Sequence, residues 1–375
     1  MIPFRGFHSV IHPGLMNWEN ELKCMSSPFP FSTEKTTWGN FLKDDLKEAT
    51  LFSLDSLAKL SKANVLIVGA GGFVGSWTTA VLLFAREQYN FDYDLTIAFR
   101  NREKISKILD LGKIRNLKII EGDLDQNAEQ VSRRTIAYTH VIHAANPPSI
   151  NFKSEQTEEI LMGTSNLLKA LTLGSKPNFI HLSSGAVYGR DARSRKHQPE
   201  FSNHAEIDLK NWEYGLCKSK IEKMVVRATK TGSLNGSNPR LFSFLGPHLP
   251  TDGTFAIGEF IKAANEGKEI QLFGNPKTTR SYMYPTDLVS WLLAVLVSPN
   301  LKTIHIGSEA QIEMFQLAEI VNKVFRGNGV STFPSEEPPN HYVPRTIQTR
   351  NQYGFHENIS LEMGLQRWKT WINSN

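Results

Sequence analysis

Cysteine is scarce in this chain: Cys24 and Cys217 are the only two among 375 residues. They are far apart, and neither sits in a pattern that staples a small secreted domain or holds a metal. A reducing compartment is the simpler reading. Long apolar runs are missing too; none approaches the ~18–20 residues that a membrane span needs. Residues 1–18 hold no apolar stretch of signal-peptide length. These absences point to a cytoplasmic protein without a membrane partner. Nor is there a strong excess of one charge: 42 Lys and Arg against 37 Asp and Glu leave +5. So mild and dispersed a surplus suits an anionic small molecule and argues against nucleic acid. Internal repeats and low-complexity blocks are absent as well.

What is present is ordinary for a globular protein, with 40% hydrophobic and 21% charged residues. The length allows one large α/β unit with a second lobe. Residues 1–60 stand apart. Trp18, Phe29, Phe31, Trp38 and Phe41 are costly to leave in water, so this extension is expected to pack on the main domain or on a partner subunit. A helix is expected near 50–60.

From Asn64 the pattern changes. Val65-Leu66-Ile67-Val68 reads as a strand buried on both faces. Further strands are expected at 95–99, 117–120, 139–143 and 178–182, alternating with helices at 102–111 and 158–173. That rhythm predicts a parallel sheet with right-handed crossovers. Later, strands at 239–244, 270–273 and 303–306 and helices at 255–266, 287–296, 314–326 and 361–372 break the alternation. They read as a smaller lobe over the carboxyl ends of the strands.

The first strand runs into Gly69-Ala70-Gly71-Gly72-Phe73-Val74-Gly75. A strand, a glycine-rich turn and a helix N-terminus together make a site for a dinucleotide pyrophosphate. Gly69, Gly72, Phe73, Val74 and Gly75 are therefore the expected cofactor contacts. The second strand ends in Phe99-Arg100-Asn101-Arg102, without the acid that would hold a ribose 2′-hydroxyl. Arginine, above all Arg100, suits a 2′-phosphate, which favours NADP(H) and leaves NAD(H) open. Asp123, followed by Leu124, lies after the third strand, where it can accept from an adenine amino group.

Tyr214 and Lys218 stand four residues apart, on one face of a helix. The lysine charge is expected to pull the tyrosine pKa down from its usual ~10. Such a phenol can trade a proton with a sugar hydroxyl or carbonyl. Ser184, in His181-Leu182-Ser183-Ser184-Gly185-Ala186-Val187-Tyr188-Gly189, is placed to hold the reacting oxygen against it. His140, His143 and His181 have no metal-ligand spacing, so no metal is expected.

Taken in order, these motifs resemble the extended short-chain dehydrogenases/reductases, also called the NAD-dependent epimerase/dehydratase family. The resemblance covers about residues 64–371. It includes His143-Ala144-Ala145, Arg240…Gly246-Pro247 and the run Arg280-Ser281-Tyr282-Met283-Tyr284-Pro285-Thr286-Asp287. It implies a Rossmann-type, doubly wound parallel sheet at 61–245 and a substrate-binding lobe at 246–375, with 280–307 returning to the sheet. It also implies a homodimer and a nucleoside-diphosphate sugar as substrate. Ser184, Tyr214 and Lys218 would be the catalytic residues, Ala144 and Ala145 cofactor contacts, and Ser243 and Arg280 contacts to the substrate diphosphate.

The chain departs from the family in three places. Gly185 and Ala186 replace the Asp-Glu pair of the 4,6-dehydratases, and sugar-acid decarboxylases also keep a Glu where Ala186 stands. Ile160 replaces an Asn, and Ser243 replaces the Asn of an Arg-x-x-Asn motif. What remains is hydride transfer with one acid–base group. That reads first as a 4-ketosugar reductase, then as a 4-epimerase with tightly bound NAD. A dehydratase would need acids from elsewhere, such as Glu200, Glu206 or Asp208. A non-catalytic dinucleotide-binding protein is the remaining alternative. The charged stretch 190–196 reads as a solvated loop near the pocket mouth.

Overall fold

In the computed structural model the described residues are 41–134, 136–145, 152, 155–172, 176–189, 213–336 and 338–375. The expectations for Trp18, Phe29, Phe31 and Trp38, for 190–196, and for Glu200, Glu206 and Asp208 lie outside them. Helices α1 (Lys43–Phe52) and α2 (Leu54–Lys59) precede β1 (Ala63–Val68). Next come α3 (Phe73–Tyr89), β2 (Tyr93–Phe99), α4 (Arg102–Ser106), β3 (Leu117–Glu121), α5 (Leu124–Ser132), β4 (His140–His143), α6 (Glu155–Leu171) and β5 (Asn178–His181). Then follow β6 (Ser183–Ser184), α7 (Glu213–Lys230), β7 (Asn235–Ser237), β8 (Pro239–Leu241), α8 (Ala256–Asn265), β9 (Ile270–Leu272) and β10 (Thr279–Arg280). The chain closes with α9 (Pro285–Val297), β11 (Ile304–Ile306), β12 (Ile312–Glu313), α10 (Met314–Phe325), β13 (Val330–Thr332), β14 (His341–Tyr342), α11 (Ile347–Tyr353) and α12 (Leu361–Asn373).

Apolar residues on both faces put β1 in the middle of the sheet: every residue but Asn64 is buried. It pairs in parallel with β2 (Val65 opposite Leu95) and with β4 (Val65 opposite His140). The full order is β3-β2-β1-β4-β5-β7, all parallel. Strand order reverses between β1 and β4, so a crevice opens at their carboxyl ends, where a doubly wound sheet takes its ligand.

The strand expected at 239–244 is shorter, Pro239–Leu241, and an unexpected one, Asn235–Ser237, precedes it. β7 extends the main sheet from β5, whereas β8 lies between β6 and β11 in a second parallel sheet. The chain changes partners at Leu182 and at Asn238, so β6 and β8 leave the main sheet together. Asn235-Gly236-Ser237 carries little strand propensity, which hid β7 from a sequence reading. Gly236 is there for space: a Cβ would sit 2.4 Å from Thr229 Oγ1 on α7. The helix expected near 50–60 starts earlier, at Lys43, and breaks at Ser53, whose hydroxyl donates to Ala49 O at 2.7 Å.

Two cores result. One joins β1, β2, α3, α9 and the N-terminal pair α1–α2, with Leu46, Leu57, Trp77, Leu83, Leu288 and Leu292 all fully buried. The other fills the later lobe, around Ile257, Leu272, Leu317, Val321, Leu365 and Trp368. α1 is anchored to both. Phe41 packs edge-on against Trp77, with ring centroids 4.7 Å apart. The fully buried Asp45 accepts from Tyr284 Oη at 2.6 Å and from Arg367 Nη1 at 2.7 Å. Burial outweighs the Arg367 cation and holds the Asp45 carboxyl up at about 6. Among the described residues, no helix is long and apolar enough to cross a membrane.

Candidate active site

The glycine loop is shaped by close approaches. Gly69 has φ +91°, and a Cβ there would lie 2.6 Å from the backbone of both Ala144 and Ala145. The ends of β1 and β4 thus meet at Gly69, with Ala144 and Ala145 as the facing wall. A Cβ on Gly75 would lie 2.4 Å from Gly69 O, so only glycine lets α3 seat this close to the strand. Gly72 is different. A Cβ there would meet only Gly69 O, at an ordinary contact distance of 3.5 Å, so the loop is not closed over on that side. It is the N-cap of α3 and no side chain caps the helix, which leaves the Phe73, Val74 and Gly75 amides facing outward. A 17-residue helix with that terminus and that gap fits a dinucleotide pyrophosphate.

Past β2, Arg100 is exposed. Arg102 is already committed: its Nε donates to Glu121 Oε2 at 2.7 Å, and its guanidinium covers the Phe99 ring. Asp123 has a structural task that the sequence reading did not include. Its Oδ1 accepts from Gln126 N at 2.8 Å while Gln126 Oε1 accepts from Asp123 N, a capping box that starts α5. Leu124 packs towards α6, where a Cβ on Gly163 would come within 2.8 Å of its Cγ.

Ser184, Tyr214 and Lys218 meet at the carboxyl ends of the strands. Ser184 closes β6, and its Oγ accepts from Ala186 N at 3.1 Å. Tyr214 stands in the first turn of α7, close enough to the Ser184 hydroxyl for the two to interact. Lys218, one turn later, donates from Nζ to Leu182 O at 2.5 Å and lies 5.7 Å from the Tyr214 ring centroid. The expected fall in the Tyr214 pKa is not seen. Burial pushes the phenol up, and the same burial brings Lys218 down to about 7. A lysine that has lost part of its charge near neutral pH exerts a weak field on its neighbour.

Beneath the lysine lie two buried imidazoles, His143 and His181, with their Nδ1 atoms 3.0 Å apart. Burial, then the Lys218 charge, lowers both, His143 to about 3, so they are neutral. No group of three His, Cys, Asp or Glu among the described residues could hold a metal ion.

Sequence reasoning missed Glu222, one turn beyond Lys218. Its carboxylate accepts from Ser183 Oγ at 2.5 Å and from Arg240 at 2.9 and 2.7 Å. The Arg240 guanidinium in turn stacks 4.8 Å from the centre of the Tyr188 ring, whose hydroxyl meets His305 Nε2 at 2.6 Å. This buried network holds the strand ends behind Ser184. The Lys218–Glu222 spacing of one helical turn was the available signal.

In β10, Arg280 Nη1 donates to Asn340 Oδ1 at 2.7 Å and to Thr279 O at 2.8 Å. Ser243 is half-buried, and its carbonyl accepts from Met283 N at 3.1 Å. Ile160 is buried in the core of the sheet and offers no polar group. Gly185 has no room for a side chain: a Cβ would come within 2.6 Å of Phe242 Cε1 and 2.9 Å of Tyr342 Oη.

Sheet order, glycine loop and the Ser184–Tyr214–Lys218 cluster together define a dinucleotide-binding α/β oxidoreductase. The profile of the NAD dependent epimerase/dehydratase family matches residues 65–307, and the chain belongs to that family. It is 27% identical over 335 residues to the UDP-N-acetyl-alpha-D-glucosaminuronate decarboxylase of Bacillus cytotoxicus, covering 83% of this chain and 98% of that one. Among solved structures, an epimerase from Methanothermobacter thermautotrophicus superposes with a TM-score of 0.72 at 20% identity, covering 87% of this chain and 96% of that one. The UDP-glucuronic acid 4-epimerase of Bacillus cereus, in complex with UDP-glucuronic acid and NAD, gives 0.69 at 21% identity, covering 83% and 99%.

Proposed function

We propose that this protein is a reductase that transfers hydride to C4 of a nucleoside-diphosphate 4-ketosugar. One observation carries the reading: Ser184, Tyr214 and Lys218 gather past the ends of β5 and β6, and the two residues after Ser184 bear no carboxylate. Elimination needs an acid–base pair at the neighbouring carbons; reduction needs one proton and one hydride. The nicotinamide supplies the hydride when bound. Tyr214 gives its Oη proton to the carbonyl oxygen, Ser184 Oγ holds that oxygen in place, and Lys218 orients the phenol. Gly72 and the first amides of α3 receive the pyrophosphate, with Ala144 and Ala145 as the wall opposite. Asp123 receives the adenine, while Arg280 and Ser243 hold the substrate diphosphate. In this reading residues 61–245 are the cofactor domain and 246–375 the substrate lobe, and the protein acts as a cytoplasmic homodimer.

With no acid at the end of β2 and Arg100 exposed there, the preferred cofactor is NADP(H). A second reading, a 4-epimerase that keeps NAD bound, is favoured by the likeness to the B. cereus enzyme. The test is to identify the dinucleotide released on denaturation, then to assay UDP-4-keto-6-deoxyglucose with NADPH and UDP-glucuronate without added cofactor. NADPH consumption with the ketosugar supports the reductase. Retained NAD with C4 inversion of UDP-glucuronate replaces it by the epimerase. In the reductase, Arg100→Asp is expected to weaken NADPH binding at least tenfold and leave NADH within about twofold, since the arginine meets only the 2′-phosphate. Equal changes in both affinities would remove Arg100 from the cofactor site.

A further inference from the structure

We propose that Tyr342 is a second phenol of the active site, donating a hydrogen bond to the sugar oxygen adjacent to the one that reacts. The inference rests on the nucleotide-sugar reading above and narrows it to sugars that carry an oxygen at that neighbouring position.

The fold delivers Tyr342 to this place through β14. That strand pairs in parallel with β10, and Tyr342 falls opposite Arg280. The Arg280 guanidinium lies 5.9 Å from the Tyr342 ring centre. The pair of strands that presents the diphosphate-binding cation therefore presents this phenol as well. Its ring is held by Phe242, with centroids 4.9 Å apart, and its Oη comes to rest 3.2 Å from Ser184 Oγ. Ser184 Oγ is thus flanked by two phenols, Tyr214 from the sheet side and Tyr342 from the later lobe.

Two hydroxyls 3.2 Å apart match the spacing of neighbouring oxygens on a pyranose ring. When one substrate oxygen takes the Ser184–Tyr214 position, the next oxygen round the ring comes within reach of Tyr342. Besides Ser184, Tyr342 Oη also reaches the backbone. It donates to Leu241 O over 3.4 Å, a long bond that costs little to exchange. Burial keeps the phenol neutral through the working pH range, so it acts as a donor and not as a base. The amides of Gly185 and Ala186 direct their dipoles at Oη, which strengthens the O–H as a donor. Gly185 belongs to the same device, since any side chain there would start 2.9 Å from Oη.

The test is calorimetry on the full chain saturated with NADP+, titrated with UDP, UDP-glucose, UDP-galactose and UDP-glucuronate. The wild-type chain is expected to bind at least one UDP-sugar more tightly than UDP. Tyr342→Phe keeps the ring and its packing, so the melting temperature should be unchanged and the NADP+ and UDP affinities should stay within about twofold of wild type. The affinity for the preferred UDP-sugar should fall about tenfold, the loss of one hydrogen bond. Equal weakening of UDP and UDP-sugar would mean that the phenol merely supports the lobe, and no change in either would mean that it touches no sugar; both overturn the proposal. A wild-type chain that binds no UDP-sugar more tightly than UDP overturns the functional reading itself, and this inference with it.

Discussion

Tyr214→Phe is expected to leave the chain folded and able to bind dinucleotide while slowing hydride transfer about 10²–10⁴-fold, the usual worth of a positioned proton donor. The variant loses one oxygen and little else. The ring of residue 214 keeps its edge contact with Phe152, at 5.5 Å between centroids, and Lys218 keeps its bond to Leu182 O. The glycine loop is built from β1, α3 and the end of β4, none of which touches the phenol oxygen. Cofactor affinity, read by NADPH fluorescence, should therefore change less than twofold, while single-turnover oxidation of NADPH by the ketosugar nearly stops. A rate within threefold of wild type would remove Tyr214 from the chemistry and leave Ser184 or bound water as the proton donor.

The second large effect lies one turn further along α7. Glu222→Leu should destabilise the fold by about 3–5 kcal/mol, because it strands the Arg240 guanidinium in the interior without its carboxylate. Arg240 and Glu222 have side chains only 3% and 7% exposed, and their N–O distance is 2.7 Å. Removing the carboxylate also takes the acceptor from Ser183, next to Ser184. Replacing both partners should behave differently. Glu222→Leu with Arg240→Met removes two buried charges together and should recover much of the loss, since well-packed apolar residues often match a buried ion pair. Urea denaturation of the wild type, both single variants and the double variant would show this. If the double variant is as unstable as the Glu222 single variant, the pair is holding something other than itself.

The parts of this molecule that could be read from sequence are those in which neighbours in the chain are neighbours in space. The apolar run of β1, the glycines behind it and the one-turn spacing of Tyr214 and Lys218 all fall within a few residues. Tyr342 gave no such signal. It reaches Ser184 from 158 residues away, and only the pairing of β14 with β10 brings it there. The Asp45–Arg367 contact was hidden for the same reason. β7 was missed because Asn235-Gly236-Ser237 is a strand by partnership with β5, not by propensity. The Tyr214 pKa went the other way from the expectation because spacing reports which charges are near, whereas burial decides how much charge survives.

The Asp45 contact has a consequence for how the protein is made. Its carboxylate is placed early in the chain, and the arginine that neutralises it follows 322 residues later. At roughly 5–20 residues per second of synthesis, that interval lasts about 15 s to one minute. Over that interval the only other side-chain partner described for Asp45 is the Tyr284 hydroxyl, so burying the carboxylate with α1 carries a desolvation cost that Arg367 offsets last.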